Sequence, residues 1–147
     1  MTPNCIVLAV VGMPGAGKSI VAEVAEKYGF SRVVMGDVVR REAKLRGLPA
    51  TAENLGKIAL ELRKKFGDDI IARRTLSKII YLLENDCKYI LIDGLRSLIE
   101  YEYFKRVLEP LCRFLVLAVH ASPKTRFERL KNRGREDDPK TWDEFKQ

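Results

Sequence analysis

Apolar residues form two kinds of pattern along the chain, short continuous runs and a repeat with the period of an α-helix. Residues 6–11 and 114–119 form short, almost continuously apolar runs rich in Val, Ile or Leu, as expected of parallel strands that are buried on both faces. Residues 32–35 and 89–92 are weaker runs of the same kind. Between the runs, apolar residues recur with the helical period of about 3.6. These positions are Leu55, Ile58, Leu62 and Phe66, then Ile71, Ile79, Ile80 and Leu83. Strands that alternate with helices predict a doubly wound α/β fold, in which helices flank a parallel β-sheet.

Residues that favour helix ends mark several boundaries. Ser97 and Glu100 have the spacing of a capping box, which satisfies backbone N–H groups of the first helical turn. Ser122 is a second cap and is followed by Pro123 at the first helical position. Glycines follow three helical stretches, where a left-handed residue closes the last turn. They are Gly29, Gly47 and Gly67.

The end of the chain carries one more helix signal. Thr141 and Glu144 form another capping box, and Trp142 and Phe145 are the first apolar residues of the helix that it predicts. The sequence ends at Gln147, and a helix of about two turns is marginal by itself. We therefore expect a closing strand and a closing helix to follow Gln147 in the complete fold.

A phosphate-binding loop is predicted directly after the first strand. Its residues match the P-loop pattern and are Gly12, Met13, Pro14, Gly15, Ala16, Gly17, Lys18 and Ser19. Glycines let the backbone wrap a phosphate with its N–H groups, and the start of the following helix adds a favourable dipole. In this pattern Lys18 reaches the β- and γ-phosphates and the Ser19 hydroxyl binds Mg²⁺. We therefore expect the protein to bind ATP with Mg²⁺.

The run at 89–92 ends in Asp93 and Gly94. A carboxylate at the carboxyl end of a strand can hold the water shell of Mg²⁺. Alternatively, Asp93 has only a structural role, as a turn residue before glycine. The glutamate that helicase-type ATPases use to activate water does not follow Asp93, and the Asn-Lys-x-Asp element of GTPase switches does not occur in the sequence. We therefore expect the phosphoryl acceptor to be a bound substrate rather than water.

Composition narrows the class of partner. The chain has 147 residues, of which 46% are hydrophobic and 32% charged, which is typical of one folded domain, residues 1–147. Its formal net charge of +7 favours a polyanionic partner, either nucleic acid or a phosphate-rich small molecule. No apolar run reaches the roughly 20 residues of a membrane span, and no basic leader is present. We expect a cytoplasmic protein without a membrane partner.

The three cysteines, Cys5, Cys87 and Cys112, have no paired spacing. Because Cys5 and Cys112 lie in apolar, strand-like runs, we expect both to be small buried thiols. This pattern predicts a reducing environment and no zinc site.

Over essentially its whole length the chain resembles the adenylate-kinase-type nucleoside monophosphate kinases and, more closely, an uncharacterised archaeal adenylate-kinase-related family. Residues 12–19 are similar to the P-loop of that group. Met35-Gly36-Asp37-Val38-Val39-Arg40 is similar to its Gly-Asp-x-x-Arg element, which implies that Asp37 and Arg40 bind the phosphate acceptor. Asp93-Gly94-Leu95-Arg96 is similar to its Asp-Gly-Phe-Pro-Arg, with the proline absent and the arginine one residue nearer. This likeness implies that Arg96 is a second arginine on the acceptor phosphate.

The same resemblance implies a short lid at about residues 130–140. Arg129 and Arg133 are similar to the arginines at the lid entrance, one of which packs on the donor base while the other meets its phosphates. Arg135-Glu136-Asp137-Asp138 resembles the Arg-x-Asp-Asp sequence on the far side, and Gly134 lies in the turn between. A helical insertion at about residues 37–83 would cover the acceptor.

Two kinase functions fit these residues. The first is transfer of the γ-phosphoryl group of ATP to a nucleoside monophosphate. Its catalytic residues would be Lys18, Asp93, Arg96 and Arg133. The second is a dephospho-CoA-kinase-like transfer to a sugar hydroxyl, for which Asp37 would be the base. Asp37 has an equal alternative role as the cap of a helix that begins at Val38.

A third function is non-catalytic. A nucleotide-dependent RNA-binding or ribosome-associated protein would use the positive charge of the chain. We do not favour nucleic acid as the partner, because acidic residues are interspersed with the basic ones and no motif of an RNA-binding module occurs. The expected partner is a small-molecule phosphate acceptor, and the sequence leaves its identity, the preferred donor base and the oligomeric state open.

Overall fold

Parallel strands form the centre of the protein. A computed structural model describes residues 4–135 and 138–146. Its strands are β1 (Ile6–Val11), β2 (Ser31–Val34), β3 (Tyr89–Asp93) and β4 (Arg113–Ala118). Its helices are α1 (Lys18–Lys27), α2 (Gly36–Leu45), α3 (Ala52–Phe66), α4 (Ile70–Glu84), α5 (Leu98–Leu108), α6 (Pro123–Arg133) and α7 (Trp142–Lys146). In the described residues the strands form one sheet in the order β2-β3-β1-β4, with every pairing parallel. This is the α/β fold that the alternation of strands and helices predicts.

The register brings the carboxyl ends of the strands to one edge of the sheet. Asp93, the last residue of β3, pairs with Val10 of β1 on one side and with Val34 of β2 on the other. The last residue of β4, Ala118, pairs with Val11 of β1. The segments that follow all four strands therefore begin at the same edge, where ligands bind in open α/β sheets.

Side chains of the strands alternate between two buried layers. Leu91 and Val10 face α1 and pack with its Ala22 and Ala25. The opposite layer contains Val7, Ala9, Ile90 and Ile92 of the strands, with Ile79, Phe104 and Leu108 of the helices. Burial on both faces explains why the central strands are continuously apolar in the sequence.

The predicted strands are confirmed with small shifts at their ends. The run 6–11 coincides with β1, and the run 89–92 is extended by Asp93 to give β3. The runs 32–35 and 114–119 each lie one residue later than β2 and β4.

The predicted helix caps are also confirmed. Ser97 Oγ accepts a hydrogen bond from the Glu100 N–H, and Ser122 Oγ accepts one from the Thr125 N–H, each at 3.2 Å. The glycines after helices all have positive φ, and they are Gly29, Gly47 and Gly67. None of the described helices is long and apolar enough to cross a membrane.

The β4 strand departs from the expectation of burial on both faces. Phe114 packs against Tyr101 of α5, with ring centroids 5.9 Å apart. Leu115, Val116 and Leu117 nevertheless keep 41–42% of their surface exposed, because β4 lies at the edge of the described sheet and pairs with β1 alone. The closing strand and helix expected after Gln147 stay a prediction.

The short α7 helix has a packing partner that the sequence pattern did not indicate. Phe127 of α6 lies 5.5 Å from the Trp142 ring and 5.8 Å from the Phe145 ring. The Arg126 guanidinium lies over the Phe145 ring at 5.1 Å, and Thr141 Oγ1 accepts the predicted capping hydrogen bond. This aromatic cluster joins α7 to α6 and stabilises a helix that would be marginal alone.

The expectation that Cys5 and Cys112 are free thiols is wrong, because the two residues form a disulfide. Ile6 pairs with Arg113, so the residues just before β1 and β4 are neighbours, with Cα atoms 4.9 Å apart. Cys87 is a free thiol. Disulfides occur in secreted proteins and also in intracellular proteins of hyperthermophiles. The cysteines therefore give no argument for a reducing compartment, and the cytoplasmic location stays a prediction.

Reduction of the disulfide should destabilise the protein. The bond joins residues 107 apart in sequence, and a cross-link across a long loop restricts the unfolded chain. Denaturant unfolding with and without reductant should show a loss of about 2 to 4 kcal/mol. Cys87→Ser is the matched control and should behave as wild type, both oxidised and reduced. Equal stability of the oxidised and reduced proteins would contradict the prediction.

Candidate functional site

The P-loop connects β1 to α1 and depends on glycine where it meets neighbouring backbone. A Cβ atom on Gly12 would lie 2.6 Å from the Val119 carbonyl oxygen, and one on Gly15 would lie 2.7 Å from the Arg126 carbonyl oxygen. Gly15 also has a φ of 81°, a conformation that other residues rarely adopt. The loop therefore fits tightly between the end of β4 and the α6 helix.

Lys18 begins α1 and lies half-buried over the loop. Its Nζ donates a 2.6 Å hydrogen bond to the Gly12 carbonyl oxygen. Burial lowers the pKa of Lys18, the positive charges of Arg96 and Arg133 lower it further, and the Asp93 carboxylate opposes them. The sheet edge thus brings together Lys18, Asp93, Arg96 and Arg133, which were predicted from four separate segments.

Asp93 has a partner that the sequence analysis missed. Arg32 Nη2 donates to Asp93 Oδ2 at 2.5 Å, and Arg32 Nε donates to the same oxygen at 3.2 Å. Arg32 Nη1 also lies 3.8 Å from a carboxylate oxygen of Glu26 on α1. Because Arg32 is opposite Leu91 in the sheet, it shares a face with Asp93 two positions on. Only the strand pairing reveals this contact.

Two of the three residues predicted to bind the acceptor, Asp37 and Arg40, lie in the first turns of α2. Asp37 Oδ1 accepts a 2.7 Å bond from Arg40 Nη1, and both side chains are at least half exposed. The alternative role of Asp37 as a helix cap is wrong. The helix begins at Gly36, and Met35 occupies the cap position without a side-chain hydrogen bond.

Arg96 follows β3 at the turn into α5. Its backbone N–H donates to Glu100 Oε1 at 3.1 Å, and Glu100 is buried with 2% of its surface exposed. This bond fixes the backbone that carries Arg96, while its side chain lies exposed. In the described part of the chain, no carboxylate forms an ion pair with the Arg96 guanidinium.

The α6 helix carries the two arginines predicted at the lid entrance. Arg129 Nη1 donates to the Gly15 carbonyl oxygen at 3.2 Å, so Arg129 contacts the P-loop directly. Arg133 forms a two-pronged bond with Asp138, in which Nε donates to Oδ2 at 2.8 Å and Nη2 donates to Oδ1. The hydrogen bond from Arg133 holds the pKa of Asp138 below its ordinary value, although burial acts in the opposite direction. The Arg135 N–H adds a third donor to Asp138 at 3.0 Å.

The structure describes only Arg135 and Asp138 of the predicted Arg-x-Asp-Asp sequence. Gly134 has the left-handed conformation that ends α6. Glu136 and Asp137 lie outside the described residues.

The donor set at this edge suits Mg²⁺. Ser19 presents an exposed hydroxyl in the first turn of α1, and Asp93 presents a carboxylate at the end of β3. Mg²⁺ is commonly held by one or two protein oxygens together with substrate phosphates and water. Within residues 4–135 and 138–146, no group of three or more His, Cys, Asp or Glu residues could hold a metal ion.

A separate cleft lies between α2, α3 and α4 and has a volume of about 420 Å³. Arg46 at its wall pairs with Glu42 and with Glu61, and Arg74 lies 3.6 Å from Glu42. At about 100° per residue, Glu42 and Arg46 lie on the flank of α2 away from Arg40. The cleft is therefore distinct from the site at the sheet edge.

The parallel sheet, the P-loop at the start of α1 and the cations around it define a P-loop protein of the kinase-like fold. A family model described as an AAA domain matches residues 11–146. The chain belongs to the UPF0200 family. It is 46% identical to a UPF0200 protein of Hyperthermus butylicus over 97% of this chain and 73% of that relative. It is 48% identical to one of Methanocaldococcus jannaschii over 95% of this chain and 68% of that relative.

Solved structures support the fold assignment. A chain in the structure of the Pnkp1/Rnl/Hen1 RNA repair complex superposes with a TM-score of 0.65 and 15% sequence identity. The likeness covers 99% of this chain and 43% of that chain. A chain in another Pnkp1/Rnl/Hen1 structure gives a TM-score of 0.59 with 16% identity. Identity this low shows the fold alone.

Gly15→Ala should disrupt the P-loop. The added Cβ would meet the Arg126 backbone at 2.7 Å with φ at 81°, so the loop must move or strain. We expect a loss of about 1 to 3 kcal/mol in unfolding free energy together with weaker ATP binding. Gly56→Ala is the matched control, because Gly56 lies inside α3 with open space around its Cβ position. That control should gain up to about 1 kcal/mol. Equal effects of the two substitutions in denaturant unfolding would refute the prediction.

Proposed function

We propose that this protein is an ATP-dependent phosphotransferase that moves the γ-phosphoryl group to a nucleoside monophosphate. The observation that supports this proposal best is the convergence of Lys18, Asp93, Arg96 and Arg133 at one edge of the sheet, beside the P-loop. Phosphoryl transfer requires positioning of two polyanions and neutralisation of moving charge. Arginine forks and a P-loop lysine are suited to both tasks.

The donor half of the proposed site binds ATP. The N–H groups of residues 12–19 and the start of α1 would hold its phosphates, and Lys18 would neutralise charge on the β- and γ-phosphates. Arg129, which contacts the loop at Gly15, would border the donor. Ser19 and Asp93 supply the oxygens that would hold Mg²⁺, which neutralises phosphate charge when bound.

The acceptor half uses Arg40 and Arg96. In this proposal both guanidinium groups bind the acceptor phosphate, and the helical region at residues 37–83 covers it. An acceptor phosphate oxygen attacks the γ-phosphorus and forms a new P–O bond. The bond from the γ-phosphorus to the oxygen of the β-phosphate breaks, and that oxygen keeps the electron pair as ADP leaves. Arg133, fixed by Asp138, would stabilise the charge on the transferred group.

A phosphoryl acceptor on RNA is the second candidate. The net charge of +7 favours it, because nucleic acid is a polyanion. The sugar-hydroxyl acceptor of a dephospho-CoA-kinase-like reaction is less supported, because the candidate base Asp37 is occupied by Arg40 at 2.7 Å. We infer that a monophosphate is the better acceptor, since Arg40 and Arg96 are two exposed arginines that could bind its charge.

Lys18→Ala should abolish phosphoryl transfer in a folded protein. Loss of a cation that stabilises transition-state charge typically costs about a hundredfold or more in kcat, and Lys18 is not part of the apolar core. The measurement is turnover of radiolabelled ATP with a panel of nucleoside monophosphates. Lys57→Ala removes an exposed lysine of α3 and should retain full turnover. A folded Lys18→Ala protein with near wild-type activity would overturn the mechanism.

Arg40→Ala should separate the acceptor site from the donor site. A charge-assisted phosphate contact contributes about 1.5 to 3 kcal/mol, so the acceptor KM should rise roughly tenfold to a hundredfold and kcat should fall as the acceptor loses alignment. ATP affinity in isothermal titration should hardly change. Arg41→Ala, at the neighbouring exposed position, is the matched control and should leave both ligands unaffected.

The contrary outcomes are distinct. Equal weakening of ATP and monophosphate by Arg40→Ala would remove the acceptor-site assignment. A strongly salt-dependent loss of RNA affinity, without any monophosphate binding by the wild type, would favour the RNA acceptor instead.

A further inference from the structure

Arg32 contacts the reaction site without belonging to any of the elements proposed to bind substrate. It lies on β2 at the outer edge of the sheet, and its side chain reaches the end of β3. Both Nε and Nη2 donate to one oxygen of Asp93, Oδ2, at 3.2 and 2.5 Å. In the described part of the chain no donor binds the other oxygen, Oδ1.

A second cation lies near the same carboxylate. Asp93 pairs with Val10 in the sheet. The carbonyl oxygen of Gly12, which directly follows β1, accepts a 2.6 Å hydrogen bond from Lys18 Nζ. Lys18 and Asp93 are therefore close and oppositely charged, yet no ion pair joins them in the described structure. Lys18 remains over the phosphate-binding loop, while Asp93 is bound from the opposite side.

We propose that Arg32 is a positioning residue that occupies Asp93 from the outer edge of the sheet and so prevents Asp93 from pairing with Lys18. A buried or half-buried carboxylate takes the nearest available cation. Once Arg32 is removed, Lys18 on the neighbouring loop becomes available to Asp93, and a Lys18–Asp93 pair would compete with the phosphates for the lysine. Both bonds from Arg32 go to Oδ2, which in this proposal leaves Oδ1 for the water shell of a metal ion.

The Glu26 carboxylate does not explain the position of Arg32. It lies 3.8 Å from Nη1, and nearly half of its side chain is exposed, so it contributes little. The Asp93 side chain is 19% exposed, and both of its hydrogen bonds come from the same guanidinium. Arg32 is therefore held mainly by Asp93.

The test is ATP binding in EDTA, measured by isothermal titration on wild type, Arg32→Ala, Asp93→Asn and the double variant. Arg32→Ala should weaken ATP binding by about fivefold to tenfold, within the range of coupling between neighbouring charges. In the Asp93→Asn background the same substitution should have little effect, because the competing carboxylate is gone. Arg32→Lys, which keeps one cation on the same side, should recover most of the affinity. Glu26→Gln is the matched control and should bind ATP as wild type.

Several outcomes would overturn the proposal. If Arg32→Ala weakens ATP binding equally in the wild type and in the Asp93→Asn background, Arg32 acts on ATP only through its positive charge and not through Asp93. No loss on Arg32→Ala alone would show that Asp93 does not compete for Lys18. A lower unfolding midpoint of Arg32→Ala that Arg32→Lys restores, without a change in ATP affinity, would make the contact purely structural.

The inference rests on the proposed function only for the role of Lys18 in binding ATP. Its experiment requires no phosphoryl acceptor and no turnover. A wild-type protein that binds ATP but phosphorylates no acceptor would contradict the kinase proposal. The comparison of the Arg32 and Asp93 variants in ATP binding would remain valid. Conversely, if the protein is an active kinase but Arg32→Ala affects ATP binding equally with and without the Asp93 carboxylate, only the role of Arg32 is removed.

Discussion

The parallel pairing of β1 with β3 and β4 is the constraint on which the rest of the structure depends. Because Val10 is opposite Asp93 and Val11 is opposite Ala118, the P-loop, the turn that carries Arg96 and the approach to α6 all start at one edge. A slip of one residue would turn each apolar set toward the wrong layer. The same register also places Cys5 beside Cys112 at the opposite end of β1 and β4.

Charge at the functional edge is organised by pairing. Three described carboxylates there have an arginine partner, and these pairs are Asp37 with Arg40, Asp93 with Arg32 and Asp138 with Arg133. Lys18 and Arg96 form no ion pair with a described carboxylate, although the charges of both Asp93 and Arg96 act on Lys18. The ion pairs limit repulsion among the arginines in the unliganded protein, and Lys18, Arg96 and the half-exposed Arg40 are the cations that this proposal assigns to the bound phosphates. This arrangement suits phosphate chemistry whichever acceptor is used.

Local signals in the sequence predict most of the fold, including the loop at residues 12–19 between β1 and α1. The apolar runs, the serine caps and residues 12–19 each depend on neighbours in the chain, and the structure contains them nearly as expected. Features that depend on strand pairing were missed. The disulfide requires β1 and β4 to be adjacent, and the Arg32 contact requires the register of β2 with β3. The sequence also favours Asp37 as a helix cap, because the actual start of α2 at Gly36 has no polar capping residue to mark it.

The aromatic cluster between α6 and α7 gives the protein a built-in optical reporter. Trp142 is the only tryptophan in the sequence, and its ring packs 5.5 Å from Phe127. Phe127 lies on the same helix as Arg129 and Arg133, which border the P-loop and Asp138. Indole emission depends on the polarity around the ring, and this ring is partly exposed at 41%. A displacement of α6 relative to α7 would therefore change the fluorescence of the natural protein without any attached dye.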